Sequence, residues 1–413
     1  MESGHLSMKM KEEENRDMKK ENFYTRLDKR EKFILNAVFY VFFVNGIFAM
    51  IMGSLLPLIS REYNLSDTMS GSLISMHSLG NLISGFAAGV LPLYIGRKRS
   101  IVMLSSFVTI GFILMIITGN PYILLLAFLF TGISRGSVSN FNNTMVNEVS
   151  DSSPSALSFL HSVFAVGAII APILVIFSTR IAGDNGWKLS AIIIIIMTSL
   201  SIFMFSRMDM KEKVKAKAGR KGYEFLKSEV FWINAGILFF YLAGESTING
   251  WIVKYFVDAE IMTIGYAQLL ASILWVAILI GRITVSVYGD RVRKDTILIV
   301  TTSGTVLFYL LLLSTTNVTV ITIAIIGIGL SMAGIYPTTV SKVGKTIKDY
   351  PMALGVLLVL GGVGAIVMPI LTGALSDALG IFAGMSAIVV VLILMMTFVI
   401  LSIIQGKREA KVS

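Results

Sequence analysis

The chain of 413 residues is 55% hydrophobic and 15% charged, with a mean hydropathy of +0.79. Soluble domains run near 45–50% apolar and about 25% charged, so a soluble globular protein is excluded. The net charge of +10 raises nucleic acid as a partner, but the basic residues fall in short segments between apolar runs, which is membrane topology and not a binding face for a polyanion. The absence of Cys removes disulfides and thiol chemistry from consideration.

Residues 1–32 hold nine Lys or Arg among acids and polar residues, with no apolar core of a signal peptide, and read as a disordered cytoplasmic tail. Apolar spans are then predicted at about 33–60, 67–91, 100–118, 121–147, 156–178 and 188–206. A charged linker, 207–229, separates them from six more at about 230–257, 264–288, 296–315, 318–341, 351–376 and 380–405. A short basic tail, 406–413, closes the chain. Runs of this length without strand alternation predict an all-α integral membrane protein with twelve transmembrane helices, in two bundles at 33–206 and 230–405.

With the N-terminus inside, the inner segments carry 29 Lys or Arg and the outer segments three, namely Arg61, Arg180 and Lys188. That asymmetry places both termini in the cytoplasm of a multi-pass protein, with the cell membrane as its expected location. An internal repeat supports the division. Gly167–Leu174 reads GAIIAPIL and Gly364–Leu371 reads GAIVMPIL, identical at six of eight positions and 197 residues apart. The same offset lays Gly132-Ile133-Ser134 on Gly329-Leu330-Ser331. Two parallel six-helix repeats with a midplane site between them are a transporter architecture.

These features resemble the major facilitator superfamily. Its loop between the second and third helices usually reads G-x-x-x-D-R-x-G-R-R/K. Here Gly89, Gly96, Arg97 and Lys98 keep the pattern, but Leu93 and Tyr94 replace the Asp-Arg. The second-half counterpart, Asp290-Arg291-Val292-Arg293-Lys294, is better kept. Within the superfamily, Asn143 to Glu148, His161 with Phe164, Gly167 and Pro172, Glu245 with Trp251 and Tyr255, Trp275 with Gly281-Arg282, and Tyr336-Pro337 resemble the fucose-permease and sugar-porter branch. The fucose symporter's two proton-linked acids correspond to Gly53 and Ser139 here, so neither its substrate nor its coupling carries over directly. The resemblance implies a monomer that needs no cofactor and moves a small solute through the bilayer.

Glu245 is the leading site candidate, because an ionisable group within a span is expensive and normally faces a bundle interior or a wet cavity. Tyr241, Glu245, Asn249 and Ile252 share one helical face, which offers hydrogen bonds to a hydroxyl-rich or charged solute. Glu245 reads either as a solute ligand and proton acceptor or as a structural carboxylate paired with Arg135. Arg135, about midway through its span, reads as a solute contact or as that carboxylate's partner. Asn142, Asn143 and Asn45 are further candidates, each with helix–helix hydrogen bonding as the alternative. Trp251 and Tyr255 read as a stacking surface for a sugar ring or as an interfacial anchor. His77 is expected to pack. His161 is expected to hydrogen-bond the loop between the fourth and fifth spans. Lys254 with Asp258 reads as a local pair near the outer surface. Arg97, Lys98, Asp290 and Arg291 are assigned to gating at the inner side.

Gly344-Lys345-Thr346 fails as a phosphate loop, because the glycine needed five residues earlier is Thr339. No metal or catalytic motif is present, so no enzyme chemistry is expected. The reading is a secondary transporter of a small polar solute, a sugar or sugar derivative first; coupling to protons would use Glu245, and uniport stands as the alternative because both acid positions of the fucose symporter are empty. A drug or metabolite exporter on the same fold, with a cavity of Met and Phe, is the first alternative. A transport-inactive membrane sensor is the second.

Overall fold

The structure, a computed structural model, describes residues 24, 27–150, 153–208, 222–350 and 352–412. The disorder expected of residues 1–32 falls mostly outside that set, but Lys29–Lys32 are described and already form the first turn of α1. Among the described residues twelve helices are long and apolar enough to span a membrane: α1 (Lys29–Glu62), α2 (Asp67–Val90), α3 (Arg97–Ile117), α4 (Pro121–Val149), α5 (Pro154–Ala182), α6 (Gly186–Arg207), α7 (Glu229–Asp258), α8 (Ile264–Tyr288), α9 (Lys294–Leu313), α10 (Val318–Lys342), α11 (Met352–Leu379) and α12 (Ile381–Val412). No strand occurs among the described residues.

Helix ends follow local chemistry more closely than hydropathy. The first helix begins at Lys29, before the apolar run, because Asp28 accepts from the Glu31 amide at 2.7 Å while the Glu31 carboxylate takes the Asp28 amide at 3.1 Å. Its counterpart α12 runs on to Val412, through KREAK, which is rich in helix-forming residues. Pro121 and Pro154 open α4 and α5 behind the capping side chains of Asn120 and Ser153. Within α10 the helix breaks between Met332 and Ile335. Pro337 explains the break: it has no amide to give the Ala333 carbonyl, and its ring crowds that carbonyl.

The two bundles repeat each other in atomic detail. A Cβ placed on Gly167 of α5 would lie 2.2 Å from the Phe43 carbonyl oxygen of α1; one on Gly364 of α11 would lie 2.2 Å from that of Phe239 in α7. Gly132 of α4 sits in the same way over the carbonyl of His77, and Gly329 of α10 over that of Leu274. Only glycine permits these backbones to approach so closely. The repeat also governs how the halves meet. The Ser75 hydroxyl of α2 donates to Ile366 O of α11 at 2.5 Å, and the Ser272 hydroxyl of α8 donates to Ile169 O of α5 at 2.9 Å. Both donor and acceptor are shifted by the repeat interval.

An even number of spans puts the start of α1 and the end of α12 on one face, here called the terminal face; the opposite is the far face. Contacts between halves gather toward the far face. Gly71 of α2 abuts Pro369 of α11, Gly373 abuts Asp67, and Gly53 of α1 abuts Asn249 of α7, each with a carbonyl oxygen 2.0–2.2 Å from where a Cβ would stand. Along the same pair of helices toward the terminal face, Gly85, Gly89 and Gly355 have nothing within 4 Å. Charges there pair within their own half: Arg97 with Glu148 at 2.6 Å, and Lys342 with Asp295 at 2.6 Å. The halves are therefore closed at the far face and splayed at the terminal face.

Candidate solute site between the two halves

The C-terminal half contributes α7 and the lower part of α10. Tyr241 and Glu245 lie one turn apart, and a helical side chain leans toward its own N-terminus, so Glu245 reaches back to the phenol. The Tyr241 hydroxyl donates to Glu245 Oε1 at 2.8 Å. Tyr336, set by the break in α10, stands with its ring centroid 6.4 Å from that of Tyr241 and within the field of the Glu245 carboxylate. Asn249 is half-buried one turn further along, and its amide donates to Glu245 O of its own helix at 2.9 Å.

The N-terminal half answers with α4 and α2. An Arg135 guanidinium nitrogen lies 3.4 Å from His77 Nε2, and His77 Nδ1 lies 2.9 Å from the Thr131 hydroxyl. That hydroxyl spends its proton on Phe128 O at 2.7 Å. It must therefore accept from His77 Nδ1–H, which leaves Nε2 as a lone pair for Arg135. The imidazole is neutral, held in one tautomer, and serves as an acceptor that orients a buried cation. Asn45 of α1 donates to Arg135 O at 3.4 Å and fixes its backbone. The Glu245 carboxylate acts on Arg135 across the space between the halves, and among the described residues no direct ion pair joins the two. The expected packing role of His77 thus includes a polar duty.

Four residues of this region carried no site assignment in the sequence reading. Phe164 of α5 and Trp275 of α8 meet edge to face across the boundary, with centroids 6.5 Å apart. Arg282 of α8 lies with its guanidinium 6.0 Å from the centre of the Trp275 ring, and its charge acts on Tyr241, Tyr336 and His161. Tyr336, Trp275, Phe164 and Arg282 were all visible as elements of a family resemblance. The signal for Arg282 was its charge inside a predicted span, the same signal that singled out Arg135.

Other expected contacts sit elsewhere. Asn45 and Asn142 are fully buried between α1 and α4, where Asn142 donates to Val38 O at 3.5 Å. Trp251 and Tyr255 are buried in the core of the C-terminal half among residues such as Ile248 and Phe256, so neither offers a ring face to a solute nor anchors at an interface. The face of α7 that carries them is the one needed to fill that core. Asn143 is half-buried and donates to Ser139 O of its own helix at 2.8 Å. Among the described residues His161 bonds none of the loop expected of it; its ring lies edge-on to Phe42 at 5.7 Å. Lys254 keeps its local partner Asp258 but also reaches Asp67 of the other half at 2.9 Å. Of the expected gating residues, Arg97 is paired as described above, Lys98 and Arg291 are exposed, and the Asp290 side chain lies outside the described residues. Among the described residues no group of three or more His, Asp or Glu is placed to hold a metal ion.

Twelve spans in two repeated bundles, closed on one face around polar groups at mid-depth, are the architecture of a membrane transporter. The sequence profile of the Major Facilitator Superfamily matches residues 38–345, and the chain belongs to that superfamily. It is a multi-pass membrane transporter and not an enzyme. The gentisate transporter of Corynebacterium glutamicum is 23% identical over 365 residues, covering 83% of this chain and 80% of the relative. The TsgA homolog of Buchnera aphidicola is 22% identical over 356 residues, covering 84% of this chain and 89% of that protein. Among solved structures, the nucleoside transporter NupG superposes with a TM-score of 0.75 at 12% identity, covering 90% of this chain and 99% of its own. The E. coli fucose:proton symporter superposes at 0.59 with 18% identity, over 91% of this chain and 99% of its own. At such identities the structures establish the fold alone.

Proposed function

We propose that this protein moves a small polar solute, a sugar or sugar derivative first, across the cell membrane by rocking its two halves about the site at Glu245 and Arg135. The observation that carries the reading is the Tyr241–Glu245 pair, with Tyr336 beside it, set opposite the Arg135–His77 pair of the other half. Each wall presents donors and an acceptor, which suits a solute rich in hydroxyl groups. Relatives named for gentisate and structural neighbours named for nucleosides and fucose support a small polar solute. Solute contact is assigned to Glu245, Tyr241, Arg135 and Tyr336, with Asn249 and Asn143 at the edges.

Both termini are placed in the cytoplasm on the strength of the Lys and Arg asymmetry, so the splayed terminal face is the inward one. Proton coupling is assigned to Glu245, the acid that lies between the halves at mid-depth. Arg97, Lys98, Asp290 and Arg291 are assigned to closing the inner side in the opposite state, as a monomer works through its cycle. Purified protein in sealed vesicles, given a panel of radiolabelled sugars, sugar acids and nucleosides with and without a pH gradient, tests the reading. Uptake of at least one member, enhanced by the gradient in the wild type and indifferent to it in Glu245→Gln, is expected. Uptake that ignores the gradient in both proteins sinks the coupling assignment.

A further inference from the structure

The space between the halves holds one more cation than that reading uses. Arg282 is exposed toward the splayed side, beside Trp275, and its charge reaches Tyr241, Tyr336 and His161. Among the described residues no carboxylate pairs with it and no hydrogen bond holds it. Arg135, by contrast, has the lone pair of His77. A guanidinium does not give up its proton, so Arg282 stays charged throughout the cycle.

While the terminal side is open, water solvates it. When that side closes, α5 comes down on α8, and the groups α5 brings nearest are Phe164 and His161. Neither carries negative charge. An unpaired cation shut into a dry contact is strongly unfavourable. Glu245 is a single carboxylate: its charge already acts on Arg135, its Oε1 takes the Tyr241 hydroxyl, and it balances at most one of the two guanidinium groups. With Glu245 ionised the walls carry two guanidinium groups against one carboxylate; with it protonated, two against none.

We propose that the transported solute is an organic anion and that Arg282 receives its carboxylate or phosphate oxygens, with Trp275 and Phe164 flanking its body. This deepens the transport reading above and rests on it. A planar guanidinium suits either oxyanion through paired N–H donors, and the indole beneath it holds the fork in place. The solute's charge supplies what closure otherwise lacks, so the loaded protein closes its terminal side more readily than the empty one. Arg282 is thereby a specificity-determining residue: a neutral sugar leaves it unpaired in the closed state.

The test uses the natural absence of cysteine. H161C puts a single thiol within electrostatic reach of Arg282 and removes the imidazole, so any remaining preference for a charged reagent reports on the arginine. Its reaction rates with the anionic sulfonatoethyl and the cationic trimethylammonioethyl methanethiosulfonates are compared, each relative to free cysteine. The anionic reagent is expected to be favoured about tenfold, and Arg282→Gln in the same background to bring the ratio to about one. A ratio near one in H161C alone, or one unmoved by Arg282→Gln, overturns the site. In parallel, vesicles carrying wild type, R282Q or R282K are given glucose, glucuronate, glucose 6-phosphate and gentisate. Uptake of an acidic member, reduced at least about tenfold in R282Q and partly restored in R282K, is expected. Glucuronate or gentisate without the phosphate ester assigns a carboxylate; the reverse assigns a phosphate. Uptake of neutral glucose by R282Q at the wild-type rate overturns the proposal. Vesicles that carry none of the four count against the transport reading, and the thiol ratio, which needs no solute, still decides on Arg282.

Discussion

Lys254 of α7 crosses the boundary between the halves to meet Asp67 at the head of α2, 2.9 Å away, and pairs at the same time with Asp258 one turn along its own helix. The lysine is 5% exposed. Asp67 also accepts from the Ser376 hydroxyl, and Asp377 of α11 takes the amides of Asp67 and Thr68 at 2.8 Å each. The start of α2 is thus capped by the opposite half, where a carboxylate is favoured by the exposed amides and the helix dipole. Removing one partner of a buried pair costs about 3–5 kcal/mol, and less here because Asp67 and Asp258 are partly exposed. Lys254→Gln is therefore expected to populate a state open at the far face. A single cysteine at Gln268, fully buried and donating to Ser54 O across the boundary, reports it: its labelling is expected to speed up about tenfold or more in the variant. An unchanged rate would show that the closed face is held by packing alone.

Glycine contacts make a second, sterically based prediction. A methyl at Gly71 would stand 2.2 Å from Pro369 O, whereas one at Gly85 meets open space. Gly71→Ala is expected to pry the far face apart and raise labelling at the same reporter position. Gly85→Ala, on the same helix, is expected to leave labelling alone and to stabilise the protein by about 0.5–1 kcal/mol, since glycine weakens a helix interior. Equal behaviour of the two variants in labelling and thermal melting would refute the contact.

Among the described residues the phenol of Tyr241 bonds only the Glu245 carboxylate. A hydrogen bond to a charged group is worth about 1.5–3 kcal/mol, so Tyr241→Phe is expected to weaken solute binding or slow uptake by roughly tenfold. Its thermal stability should change far less than its transport. A variant with wild-type uptake would place Tyr241 outside the working site.

Trp251 supplies the converse case. It is wholly buried in the C-terminal core, and its indole N–H has no partner among the described residues. Trp251→Ala is expected to cost about 3–5 kcal/mol of stability through the cavity it leaves, while Trp251→Phe loses less. Neither changes which solutes are carried. A shift in solute preference for Trp251→Phe, at unchanged melting temperature, would return this residue to the cavity wall.

The contrast between Glu245 and Trp251 shows what sequence reasoning reached. Hydropathy located all twelve spans, because the bilayer sets their length regardless of packing. Charge inside a span pointed to Glu245 and Arg135, because that cost has few explanations. Aromatic and carboxamide groups carry no such penalty. Trp251 and Tyr255 fill a core as readily as a cavity wall, and Asn45 and Asn142 bond neighbouring backbones as readily as a solute, so residue type alone did not assign them. Lys254 illustrates a different limit. Its partner at four residues was legible; Asp67, on another helix of the other half, belongs to an arrangement that only the fold creates.

The exchanged pair of bonds, Ser75 to Ile366 and Ser272 to Ile169, gives the boundary an isologous character. Each half carries one donor and one acceptor at matching places, the pattern that two copies of a single chain use when they form a symmetric dimer. A six-helix unit with one such serine and one such carbonyl would present a complete, self-complementary seam to a second copy of itself. Glu245 and Arg135 stand outside that symmetry: the repeat interval lays them on Phe48 and Met332, so the seam is shared by the halves while each charged group belongs to one of them.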